Sequence, residues 1–213
     1  MNTALRAFVL LLSMFVGLQL LAEESALVAG HELSYYESQI SSDNRVVRLR
    51  AVKTLGAFGD EAGPALLSAL TNEDPAVRYT AAVHLGRIGG KSLDNAIDPL
   101  RKLRGDEASL AVQQAAAFAL CRAGKLDGNL SLLIERLAYP ERSMALSAAE
   151  LIGMIGPPAI AAAEALEQVV RDNPPGGTPP PPESKKSDYH LGGAAGHALR
   201  KIKPEGTNAR VIQ

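Results

Sequence analysis

Asp74–Gly89, DPAVRYTAAVHLGRIG, is the stretch whose reading decides the fold. Val77, Ala81, Leu85 and Ile88 step by four, four and three residues, which places them on one face of a helix that Gly89 then ends. The same frame returns upstream as Val47, Ala51, Leu55, Phe58, Gly59. Downstream it reads Val112, Ala116, Leu120, Ala123, Gly124, then Met144, Ala148, Ile152, Ile155, Gly156. A fifth, weaker copy is Leu191, Ala195, Leu199, Ile202. Measured at the Val77 position the copies lie 30, 35, 32 and 47 residues apart, a period that marks stacked helical units. Each such helix has an apolar stripe too narrow to bury alone, so neighbouring copies must cover it.

These five copies resemble the HEAT repeats, in particular the short helical repeats of the phycobilisome lyases, over roughly residues 32 to 203. The resemblance implies an all-α, right-handed α-solenoid of the armadillo type with about five helix pairs, the second helix of each pair on the concave side. Predicted first helices are 33–40, 64–70, 96–103, 130–137 and 158–170. Pro64, Pro99 and Pro158 stand near three of their starts, where a missing N–H costs little, and Asp98 is placed to cap the third. Second helices begin near Arg45, Pro75, Leu110, Glu141 and Tyr189, with Asp74 and Asp188 as N-caps.

The long last spacing has a compositional cause. Residues 173–187, NPPGGTPPPPESKKS, contain six prolines and no large apolar residue, and 47 less these 15 restores a period of 32. This predicts a proline-rich loop inserted in the last repeat. At the other end, MNTALR followed by AFVLLLSMFVGLQLLA and then Glu23–Glu24 reads as a secretory signal peptide over 1–22, with an uncleaved membrane anchor as the alternative. The expected organisation is therefore a signal peptide (1–22), a repeat domain (23–203) and a tail (204–213), in a periplasmic or secreted protein.

Composition narrows the function. Only four Phe, five Tyr and no Trp accompany an apolar content of 46%, so one Ala/Leu-rich domain is expected. The net charge of −1 becomes −2 without the segment carrying Arg6, which disfavours nucleic acid and anionic membranes as partners. Cys121 has no second cysteine to pair with and occupies the slot of Gly56, Gly86 and Gly153, the reading of a small buried residue. Bilin lyases and deoxyhypusine hydroxylase are enzymes of similar build, and the hydroxylase binds iron through repeated His-Glu pairs. Here one pair, His31–Glu32, stands outside the repeat frame, while His84, His190 and His197 lack the Glu. No nucleophile elbow or phosphate loop occurs either, so no catalytic, cofactor or metal site is expected, and a pigment-lyase-like subunit is the alternative function.

The expected function is a non-catalytic scaffold whose concave face binds a protein or peptide segment. Turning each second helix half a revolution from its core stripe presents Val46, Arg50, Lys53, Ala57, then Ala76, Thr80, Val83, Arg87, then Ala111, Ala115, Phe118, Arg122. Ser143, Ser147, Glu150, Met154 and His190, Ala194, His197, Lys201 continue the groove. Arg50, Lys53, Arg87 and Arg122 are expected to steer acidic groups of a partner, with Phe118 and Met154 as exposed apolar anchors. Resemblance further suggests a ladder of Asp and Arg between repeats, with Asp74 as the partner for an inter-helix Arg. The Arg48 and Arg78 slot becomes Gln113, Ala145 and Gly192 later, so only the first two repeats should use it.

Overall fold

The computed structural model describes residues 27–174 and 188–203. The signal peptide expected at 1–22, most of the proline-rich loop and the tail lie outside the described residues. The rest is an all-α solenoid of five helix pairs. The first helices are α1 (Leu33–Gln39), α3 (Gly63–Ala69), α5 (Gly90–Asp106), α7 (Asn129–Leu137) and α9 (Ala163–Asp172). The second helices are α2 (Arg45–Leu55), α4 (Pro75–Ile88), α6 (Leu110–Arg122), α8 (Arg142–Ile155) and α10 (Tyr189–Ile202). The second helices pack on one another in chain order, so they form the continuous inner layer.

The repeated frame is the core. Leu55, Val77, Ala81, Leu85, Val112, Ala116, Ala148, Ile152 and Ala195 are fully buried, while Val47, Ile88, Ala123, Leu191 and Leu199 are half-buried at the margins. The glycine that closes each frame is needed for its backbone. Gly59, Gly89, Gly124 and Gly156 have φ of 61°, 75°, 76° and 79°, the left-handed region in which a side chain is strained, and each turns the chain out of a second helix. Asp74 caps α4 by accepting from the Ala76 N–H at 2.9 Å, and Asp188 caps α10 through the His190 and Leu191 N–H groups.

Two first helices differ from expectation: α9, expected from 158, starts at Ala163 behind a 3₁₀ turn that takes Pro158, and α5 is longer at both ends. α5 starts at Gly90 and runs through Pro99, and Asp98 is no cap but an exposed partner of Arg101 at 2.8 Å. A proline inside a helix deprives the carbonyl four residues earlier of its donor. That carbonyl belongs to Asn95, which is exposed, so water can serve it. Before α3 and α9 the chain instead makes 3₁₀ turns, Gly56–Ala62 and Pro157–Ala162.

α6 sits at the centre of the stack. Residues 114–121 are all buried, some packing toward the first repeats (Ala115, Ala116, Ala119, Leu120) and others toward the last (Ala117, Phe118, Cys121). A helix apolar on every side belongs in the interior. The flanking second helices accordingly close over its concave side, where the hydroxyls of Tyr79 on α4 and Ser147 on α8 meet at 3.1 Å.

Candidate functional site: the concave face

The Tyr79–Ser147 contact divides the concave face, so the predicted single groove is two clefts. Near the starts of the second helices a cleft of about 540 Å³ is lined by Lys53, Tyr79, Thr80, Ser109, Ser143 and Ser147 among others. At their C-terminal ends a second, of about 480 Å³, is lined by Arg87, Phe118, Arg122, Gly153, Met154, Gly156 and Lys201. Of the six residues expected to bind a partner, Arg87, Phe118, Arg122 and Met154 come together, and Lys201 joins them. Lys53 faces the other cleft. Arg50 is further off still, lining a separate depression with His31, Tyr35 and Tyr36 at the N-terminal end of the solenoid.

Phe118 is not an exposed anchor: its side chain is completely buried. The cause is Gly86, one slot over on α4, where an added Cβ would lie 2.7 Å from Phe118 Cε1 and 3.0 Å from the Ala119 Cα. The bare backbone of α4 receives the ring, which becomes the floor of the cleft rather than a side chain offered to a partner. Met154 is half-buried at the cleft wall. Close approach recurs at the same slot in other copies, with His84 over Gly56 and the Ala198 backbone over Gly153. Burial, with Arg87 assisting, lowers the His84 pKa, and burial pushes the Cys121 thiol up to about 12, so this cysteine is a packing residue.

The Arg/Asp ladder is present with different partners. Asp74 takes the guanidiniums of the preceding repeat, Arg45 at 2.8 Å and Arg48 at 3.6 Å, while Arg78 reaches forward to Glu107 at 2.6 and 2.8 Å. Arg48 and Arg78 each also donate to two carbonyls of the turn inside their own pair, and Gln113 keeps that role in the third with a 2.6 Å bond to the Glu107 carbonyl. Between the last two repeats the link is Arg142 to Asp188, from the slot of Arg45 rather than that of Arg48. The ladder therefore extends beyond the first two repeats. Reading the N-cap acids Asp74 and Asp188 against residues two places before the recurring Val would have found it.

These pairs leave a mark on the carboxylates. Burial works to raise Asp74, but the Ala76 N–H and the Arg45 and Arg48 guanidiniums outweigh it and hold it below the usual carboxylate range. Arg78, against the opposing effect of burial, holds Glu107 low, and Arg142 does the same for Asp188. Arg87, Arg122 and Lys201 have no ion-pair partner among the described residues. Arg122 does donate from Nε to the Gly86 carbonyl at 3.0 Å.

Among the described residues no group of three His, Cys, Asp or Glu side chains is placed to hold a metal, and no helix is long and apolar enough to cross a membrane. The comparisons with known proteins bear on the fold. Residues 37–121 match the family model of HEAT repeats. Those residues span α2, α3, α4, α5 and nearly all of α6, the part of the solenoid in which the frame and the Arg ladder are most regular. No curated protein matches the chain significantly. Two crystal structures of engineered proteins are similar at 20% identity. One has a TM-score of 0.47 over 80% of this chain and 78% of that one, the other 0.45 over 81% and 48%.

Proposed function

We propose that this chain is a non-catalytic HEAT-repeat scaffold of the cell envelope or exterior that binds a protein segment on the concave face of its second helices. The observation that carries this reading is the pair of clefts flanking the Tyr79–Ser147 contact, which expose cations and hydroxyls on an otherwise interlocked inner layer. Elsewhere the half-buried arginines are committed to holding repeat to repeat. A solenoid of this kind supplies an extended surface whose side chains vary without disturbing the frame. The envelope location rests on the sequence of residues 1–22, and N-terminal sequencing of the exported chain, expected to begin at Glu23, tests it.

Binding is tested with photo-crosslinking residues placed at Ser143 and Lys53 on the inner layer and at Ser68 and Glu135 on the outer helices, each exposed. The mature chain is then used as bait in the native extracellular or periplasmic fraction. Adducts with one protein from the inner positions alone are the expected result; adducts confined to Ser68 and Glu135 would move the binding surface to the outer helices.

A further inference from the structure

We propose that the cleft at the C-terminal ends of the second helices is an acid-reading site for an extended peptide segment in which carboxylates flank one apolar side chain. This rests on the concave-face reading and names the chemistry of its occupant. Arg87, Arg122, Met154 and Lys201 occupy one slot, the tenth residue after the recurring Val, Met or Leu of their copies. Stacking turns that slot into a row across four successive second helices, and the row lines one cleft. Its order is cation, cation, methionine, cation.

Two features point to carboxylates. No acidic side chain lines the cleft, and none of its three cations is ion-paired among the described residues. Some of the positive charge offsets the partial negative charge of the helix ends, since Arg87, Arg122 and Lys201 lie in last turns and Arg122 Nε serves the Gly86 carbonyl. The other guanidinium nitrogens of Arg122 and the whole of Arg87 remain for a ligand. The nearest carboxylate along α8 is Glu150, exposed one turn before Met154 and outside the lining.

Spacing sets the register of the occupant. Packed helices lie about 8–10 Å apart, and a peptide in the extended polyproline II conformation advances about 3.1 Å per residue with three residues per turn, so side chains on its cleft-facing side recur every third residue. The corresponding sequence is acid, two residues, acid, two residues, apolar, two residues, acid. Met154, flexible and polarizable, suits an aliphatic side chain at the apolar position.

The test is fluorescence anisotropy of the mature chain with the labelled peptide Glu-Gly-Gly-Glu-Gly-Gly-Leu-Gly-Gly-Glu, amidated. Expected is saturable binding that weakens with salt and falls about ten-fold or more when Glu is replaced by Gln throughout the peptide. Arg87→Glu with Arg122→Glu should lower affinity by about the same factor. Because Arg122 also holds the Gly86 carbonyl, Arg87→Glu with Lys201→Glu is the companion variant, with circular dichroism to show that both fold. Met154→Ala should mainly speed dissociation. No binding to the parent chain, equal binding of the Gln peptide, or parent-like affinity in the folded double variants overturns the proposal. So does a site that takes polyphosphate or anionic vesicles through Arg87 and Lys201 while ignoring the peptide. Inner-layer crosslinks to a partner that persist in these variants would remove the acid-reading site and leave the concave-face function standing.

Discussion

At the scale of single residues the interior is governed by how closely second helices approach. Gly86 has room for no side chain, because Phe118 and Ala119 already fill the space beside it. Gly86→Ala is therefore expected to lower stability by about 1–3 kcal/mol, read as a drop in denaturation midpoint. Phe118→Ala empties the same contact from the other side and should cost about 3–5 kcal/mol. A Phe118→Ala chain that melts like the parent would return Phe118 to the surface. Leu85, completely buried between repeats, should cost about 2–5 kcal/mol on truncation to Ala. Because repeats share interfaces, hydrogen exchange should then rise in α2 and α6 as well as in α4.

Elements are joined by the Arg–carboxylate links, and these make the stacking pH-dependent. Glu107 and Asp74 have folded-state pKa values below their ordinary 4.5 and 3.8. A depressed carboxylate contributes stability that is fully present above its unfolded value and is lost as pH falls through the folded one. The melting temperature should thus hold steady near neutrality and decline once the pH drops below about 4.5. Glu107→Gln should lower the neutral melting temperature, by about 2–4 kcal/mol in stability, and flatten that acid slope. The pair of Arg45, whose side chain is 62% exposed, should contribute only about 0.2–1 kcal/mol, and the pair of Arg142, whose side chain is 59% exposed, is likewise a weak surface link. Equal losses for Arg45→Ala and Glu107→Gln would contradict the ranking by burial.

For the whole molecule, the last pair shows how an insertion is tolerated. Asn173 Oδ1 accepts from the Asp188 N–H at 2.8 Å, and the Asn173 carbonyl lies where a side chain at Gly192 would have to be. The chain therefore leaves and re-enters the solenoid at one point, and closing a loop costs entropy that grows only slowly with its length. Deletion of 174–186 is expected to leave helicity and melting nearly unchanged in circular dichroism. A large loss of stability would mean that the proline-rich stretch packs against the body.

The period of the frame, its closing glycines and its acidic caps were legible from the residues alone, because helix periodicity, left-handed φ and N-cap hydrogen bonds are local requirements that a sequence states directly. Three of the six candidate partner residues, Arg87, Arg122 and Met154, were also placed together by that register, since stacked repeats convert a common slot into a row. What only the tertiary structure decided was depth and pairing. Phe118 follows the outward register yet is buried, because its fate depends on Gly86 in another repeat. Arg78 pairs with Glu107 rather than Asp74, because a side chain takes the carboxylate that the next pair brings within reach. The concave face is two clefts rather than one groove for a similar reason. The small residues of α6 let α4 and α8 meet over it, and that curvature is a property of three helices packed together.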